Sequence, residues 1–179
     1  MRELSLHILD LIENSLAAGA AAIEIAIEAD PAADRLTIAV EDDGSGFTVP
    51  QDVALDPFYS TKAGRRTGLG LSLLAASAQR AGGGLSLGRS QLGGAKVVAT
   101  MHLHHIDRPP VGDLAATFNG MAVTNPSIDF RLRLHCGGHE LAMSSQRACC
   151  GGSGAAGYAK STKKNVGIIH SFLSKVGLS

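Results

Sequence analysis

Apolar positions follow two different periods along residues 4–104. Leu4, Leu6, Ile8, Leu9, Leu11, Ile12 and Leu16 keep mostly helical spacing, which predicts an amphipathic helix and leaves Asp10 and Asn14 one turn apart on a shared face. Residues 22–28 and 35–41 instead alternate in the strand period, and Asp30-Pro31-Ala32-Ala33-Asp34 between them reads as a turn, so a β-hairpin follows the helix. After the loop Asp42-Asp43-Gly44-Ser45-Gly46, residues 47–67 are irregular. Residues 69–80 return to helical spacing and stop at Gly82-Gly83-Gly84. Residues 85–87 and 96–103 then read as two strands joined by Gly93-Gly94. Two helices over one antiparallel sheet make an α/β (α+β) two-layer sandwich.

The texture changes beyond His105. Pro109-Pro110 leads into a helix-like stretch at 112–120, a strand-like one at 129–135 and a further short segment at 140–144, which together suggest a small appendage with a second hairpin. Residues 145–165 are rich in Gly, Ser, Ala and Lys and carry few large apolar groups, as expected of a flexible linker. Val166, Ile168, Ile169, Phe172, Leu173 and Val176 form a helical stripe suited to docking on the domain or on a partner. The expected division is a main domain at 1–105, an appendage at 106–144, and a linker with a terminal helix at 145–179.

Composition narrows the function. A chain of 179 residues is the size of one ordinary domain. Lys and Arg total 16 against 16 for Asp and Glu, so no summed field attracts nucleic acid or an acidic membrane surface. Near-zero net charge gives little repulsion between copies, which leaves a homo-oligomer or a protein partner open. The start MRELSLHILDLIENS lacks a cleavage site, and no apolar run reaches the ~18 residues of a membrane helix, so the expected location is cytoplasmic. Three cysteines do not make an even disulfide framework.

Four segments carry the chemistry. In order they are Asp10-Leu11-Ile12-Glu13-Asn14-Ser15, Asp42-Asp43-Gly44-Ser45-Gly46, Asp56-Pro57-Phe58-Tyr59-Ser60-Thr61-Lys62, and Thr67-Gly68-Leu69-Gly70-Leu71-Ser72. Gly68 and Gly70 open the second long helix, where unpaired N–H groups and the helix dipole favour phosphate. Taken singly, Asn14 reads first as a helix-surface residue, and the Asp42 loop can be read as a plain turn. Four boxes in this order are specific.

Over residues 4–104 the chain resembles the GHKL superfamily of gyrase, heat-shock chaperone, histidine kinase and MutL ATP-binding domains. The resemblance implies a Bergerat-type ATP-binding fold that takes ATP and Mg²⁺. Within it Asn14 is the metal ligand bridging Mg²⁺ to the phosphates, and Asp42 accepts a hydrogen bond from the adenine amino group. Gly44 and Gly46 let the backbone approach the base. Thr67, Gly68, Leu69, Gly70 and Leu71 belong to the phosphate site. Phe58 and Lys62 match the phenylalanine box of histidine kinases, making residues 56–67 a short lid, mobile when empty, with Arg65 and Arg66 on it. Asp10 stands where hydrolytic members carry a glutamate that activates water, and its side chain is one methylene shorter. Glu13 and Asp43 read as solvent-facing neighbours.

The remaining candidates carry weaker signals. His7 could be imagined as a phosphoacceptor, but nothing beside it supports that role. His102, His104 and His105 cluster at a strand end. Cys136, His139, Cys149 and Cys150 could supply metal ligands, although their spacing lacks the tight knuckle of most such sites. The wording around Asn14 is similar to mismatch-repair proteins, whereas Phe58 to Lys62 and Gly68 to Ser72 are similar to histidine kinases. With only nine residues before Asp10 in this sequence, phosphorylation in cis is disfavoured. The leading expectation is a stand-alone Mg-ATP-binding domain, comparable in economy to anti-sigma-factor kinases, that phosphorylates or switches a partner protein in trans. The alternatives are a slow ATP hydrolase with Asp10 as base and a non-catalytic nucleotide sensor. Residues 106–115 also resemble stand-alone ATP-binding proteins associated with iron-hydrogenase systems, which makes a hydrogenase-related protein a candidate partner.

Overall fold

The alternating segment from Ala22 folds as its period predicts. In the computed structural model, which describes residues 3–55, 69–146 and 155–178, strand β1 (Ala22–Asp30) runs antiparallel to β2 (Arg35–Asp42), with Ile23 opposite Asp42 and Asp30 opposite Arg35. Strands β3 (Gly84–Arg89) and β4 (Ala95–His102) form the second hairpin, and β4 pairs with β2. Helices α1 (Leu4–Ala17) and α3 (Leu69–Arg80) match the two helical stripes, and a single short turn, α2 (Gln51–Ala54), follows the Asp42 loop.

Residues 106–144, expected as an appendage, extend this same sheet. They supply helix α4 (Leu114–Thr124) and the strands β5 (Asp129–Cys136) and β6 (His139–Ser144), giving the strand order β3-β4-β2-β1-β5-β6. The sheet is mixed, not purely antiparallel as expected, because β5 lies parallel to β1 with Ile25 opposite Leu132 and Ile27 opposite Leu134. A parallel neighbour needs a crossover connection, which α4 provides. The physical reason is burial: Ile23, Ile25 and Ile27 are all at most 2% exposed, and without β5 the β1 edge would leave their backbone unpaired.

Helices cover one face of the sheet. α3 packs on β3 and β4, α1 on β2 and α4 on β5, while α1 touches both α3 and α4. Inward residues Leu36, Ile38, Phe130, Leu132, Ile8, Ile12, Leu74 and Phe118 form one continuous core. The opposite face is polar, with ion pairs from Arg133 to Glu24 and from Arg131 to Asp129. The tail also finishes α1. Glu3 makes no side-chain cap, and the N–H groups of Leu4 and Ser5 donate instead to the carbonyls of Pro110 and Val111, both at 2.9 Å.

A terminal helix forms, but it starts earlier than the apolar stripe suggested. α5 (Ala155–Lys175) begins inside the stretch expected as linker, where Ala and Lys favour helix. It docks on α4 and buries Ile169 and Leu173. Among the described residues no helix is long and apolar enough to cross a membrane.

The β1–β2 turn is tied to the end of β4. Asp34 accepts hydrogen bonds from the backbone N–H of His104 at 3.0 Å and contacts Nδ1 of His104 at 2.7 Å and of His102 at 3.3 Å. Hydrogen bonding from the His104 side chain, followed by its backbone N–H, holds the Asp34 carboxyl below its ordinary range. A depressed folded-state carboxyl contributes stability above the unfolded pKa and loses it as pH falls through the folded one. Asp34→Asn should therefore flatten the acid limb of a thermal-midpoint profile. Added salt should shrink the difference, since the group is exposed. An unchanged acid limb would mean that the contact is thermodynamically silent.

If β5 is integral to the core, truncating it must weaken the whole molecule. Leu132 is fully buried, and Leu132→Ala should cost about 2–5 kcal/mol. Urea unfolding followed by circular dichroism should show one transition at a lower midpoint. A separate early transition would indicate an independent C-terminal unit.

Candidate nucleotide site

The site is organised by a carboxylate at the end of β2. Asp42 closes that strand at 3% exposure, and a buried carboxylate is tolerated only when hydrogen-bonded. Its donors come from three parts of the chain. The Ser15 hydroxyl on α1 donates to Oδ2 at 2.6 Å, and the N–H groups of Gly44 and Ala95 donate to Oδ1 at 3.0 and 2.9 Å. The Gly94 N–H donates to the Asp42 carbonyl at 3.0 Å.

Close backbone approaches make this possible. A Cβ on Gly94 would lie 2.2 Å from the Asp42 carboxylate and 2.5 Å from the Gly44 nitrogen, so no larger residue fits without displacing the loop. Gly44 sits against the end of α1, where a Cβ would come within 2.9 Å of the Ala18 carbonyl, and the Ser45 N–H donates to that carbonyl at 3.1 Å. Asp43 is exposed as expected, yet its carboxylate also accepts from the Ala21 and Ala22 N–H groups at 2.7 and 2.9 Å, fastening the loop to the start of β1.

The residues expected at the phosphates begin on α1. Asp10 and Asn14 occupy one helical face, Asp10 half-buried and Asn14 exposed, with Glu13 in solvent. α3 starts at Leu69, and its Gly70 packs so tightly on α1 that an added Cβ would sit 3.1 Å from the Asp10 Cβ. The second-helix N-terminus is thus brought beside Asp10. Leu71, on the same turn, is half-buried against the core. Phe58, Lys62, Thr67, Gly68 and the lid expected at 56–67 lie outside the described residues. Beside the Asp42 loop, a shallow recess is lined by Phe47, Val49, Leu87, Gly88, Arg89 and Gly94.

Neighbouring charge is neutralised locally. Burial pushes the Glu41 carboxyl up, but hydrogen bonds from Lys96 at 2.8 Å and Ser90 at 3.0 Å outweigh it and leave it below its ordinary value. His7 is 2% exposed on the core side of α1, an inaccessible place for a phosphoacceptor. Cys136 and His139 face each other across the β5–β6 pair, with the Cys136 thiol pushed up by burial. Cys149 and Cys150 lie outside the described residues, and among those described no group of three His, Cys, Asp or Glu side chains is placed to hold a metal ion.

Sequence reasoning missed two members of the site. Ser15 is marked in the sequence only as the neighbour of Asn14, although a serine on the apolar face shared by Leu11 and Ile12 needs a buried partner. Gly94 has only a turn signal, and nothing local shows that its missing side chain makes room for Asp42.

Comparison with known proteins agrees with this architecture. Residues 2–105 match the family described as histidine kinase-, DNA gyrase B-, and HSP90-like ATPase, and the chain belongs to that family. No curated protein sequence matches it. Among solved structures it is similar to the N-terminal domain of a DNA repair protein, at 16% identity and a TM-score of 0.55, covering 88% of this chain and 58% of that one. It is similar to the Aquifex aeolicus MutL ATPase domain, solved with ADP, at 16% identity and a TM-score of 0.51, covering 92% of this chain and 70% of that one. The ATP-binding domain of PrrB from Mycobacterium tuberculosis shares 32% identity over 55% of this chain and 66% of that one, at a TM-score of 0.41. The chain thus spans less than two thirds of the DNA repair domain and of the PrrB domain.

The glycine at position 94 gives a direct test of the cradle. Gly94→Ala should destabilise the protein by about 1–3 kcal/mol, the usual range for overpacking a tight site. Gly84→Ala, with open space around its Cβ, is the control. Equal urea midpoints for the two variants would show that the Asp42 loop yields without cost.

Proposed function

We propose that the chain binds Mg-ATP between α1, the Asp42 loop and the start of α3, and uses the bound nucleotide to phosphorylate or switch a partner protein. The observation that carries the reading is the Asp42 carboxylate. It is buried, oriented by three donors, and retains acceptor capacity, since an ionised carboxylate offers about four lone-pair sites. A group of this kind suits the exocyclic amine of adenine. Guanine would present a carbonyl oxygen there and leave the carboxylate facing an acceptor. Family membership supports ATP as the ligand, and the ADP in the MutL structure is in keeping with it.

The donor set fits Mg²⁺. That ion prefers oxygen ligands, few of them from protein, and keeps several waters. Asn14 offers an amide oxygen from an exposed position on the same face as Asp10. When bound, the ion would offset phosphate charge. Asn14 would hold it, and the start of α3 would face the phosphates.

A second reading, slow ATP hydrolysis, is favoured by one contact. Gly70 at the start of α3 rests on Asp10, a half-buried carboxylate, and this reading puts the phosphates at the start of α3. Asp10 could take a proton from an attacking water there.

Two measurements separate these parts. Titration calorimetry should show Mg²⁺-dependent ATP binding, little GTP binding, and at least a tenfold loss in Asp42→Asn, as expected for a hydrogen bond to a charged group. Equal affinities for ATP and GTP would remove the adenine assignment. If Asp10 is a base, Asp10→Asn should lower turnover about 10²- to 10⁴-fold while binding changes little. Turnover at the parent rate would leave Asp10 with a structural role and favour partner switching without hydrolysis.

A further inference from the structure

Ser15 stands out once the site is assembled, because it is a buried polar side chain at 5% exposure whose Oγ lies 2.6 Å from Asp42 Oδ2. The two backbone donors both serve Oδ1. Among the described residues Oδ2 therefore has the serine hydroxyl as its donor and holds most of the remaining acceptor capacity of the carboxylate. The two oxygens of an aspartate turn together about its soft terminal torsion. The N–H groups on Oδ1 and the hydroxyl on Oδ2 hold the carboxylate plane from both sides.

We infer that Ser15 is a positioning residue for adenine recognition: its hydroxyl holds Oδ2 of Asp42 in the orientation that receives the 6-amino group. This deepens the proposed function and rests on it. It also assigns adjacent residues of one helix to opposite ends of the nucleotide, with Asn14 toward the phosphates and Ser15 behind the base. A rotation of α1 that moved one would move the other, so base recognition and metal placement are set by the same rigid element.

The test pairs a protein change with a ligand change. Ser15→Ala, Ser15→Thr and the parent protein are titrated calorimetrically with Mg-ATP and with the triphosphate whose purine lacks the 6-amino group. Alanine is a good helix former at this interior helix position, and the thermal midpoint of each variant checks that it folds. The expected result is a loss of roughly tenfold or more for ATP in Ser15→Ala, the scale of one hydrogen bond to a charged group. The amine-free analogue should bind Ser15→Ala and parent alike, and Ser15→Thr, which keeps the hydroxyl, should recover ATP affinity. Equal losses for both nucleotides would show a merely structural role and overturn the inference, as would no loss for either. A different failure is distinguishable: if the parent itself binds the two nucleotides equally, Asp42 does not read the amine. The adenine assignment then falls, and the role of Ser15 with it.

Discussion

Burying the Asp42 carboxylate is the constraint from which the site follows. A charged group taken out of water needs compensation, and each donor here comes from a different structural unit: helix α1 through Ser15, the loop through Gly44, and strand β4 through Ala95. All three must be in register at once. The small residues nearby are consequences of this demand. Gly94 is small so that the β4 backbone can reach the carboxylate, and Gly44 is small so that the loop can lie on the end of α1.

Helix α1, which carries one of these donors, is fastened at both ends. At its C-terminal end the Ala18 carbonyl receives the Ser45 N–H from the Asp42 loop, and at its N-terminal end Leu4 and Ser5 donate to Pro110 and Val111. Asp10, Asn14 and Ser15 ride on this helix, so their positions relative to the sheet are set by contacts some distance along the chain. Side chains that must meet a ligand within hydrogen-bond tolerance are best carried on such an element.

Much of the arrangement was legible in the sequence, and the parts that were not share a cause. The first helix, both hairpins and the second helix follow from periods of 3.6 and 2, which are local signals. Asp10, Asn14, Asp42 and Gly70 were visible because motif and order marked them. Ser15 and Gly94 escaped because their importance lies in a long-range contact, between residues far apart in sequence that meet only in the folded molecule. The parallel pairing of β5 with β1 was missed for the same reason, since a strand pattern predicts a strand but not its neighbour. The early start of α5 has no apolar signal of its own, since low apolar content suggests disorder, and the helix is anchored further along by Ile169 and Leu173 on α4.

The extent of the fold also bears on the tail. The family match ends at residue 105, yet the MutL and DNA repair domains cover 92% and 88% of this chain, so the shared architecture necessarily runs past that boundary. At these identities the likeness concerns the fold alone, and it agrees with what the contacts require. Without β5 the apolar strand β1 would be an edge, an arrangement prone to pairing with other chains. Without the backbone at Pro110 and Val111, α1 would begin with unsatisfied N–H groups. The segment after residue 105 therefore completes the very sheet and helix that position Asp42 and Asn14, and changes in it should be felt at the site through α1 even though none of its described side chains donates to the Asp42 carboxylate.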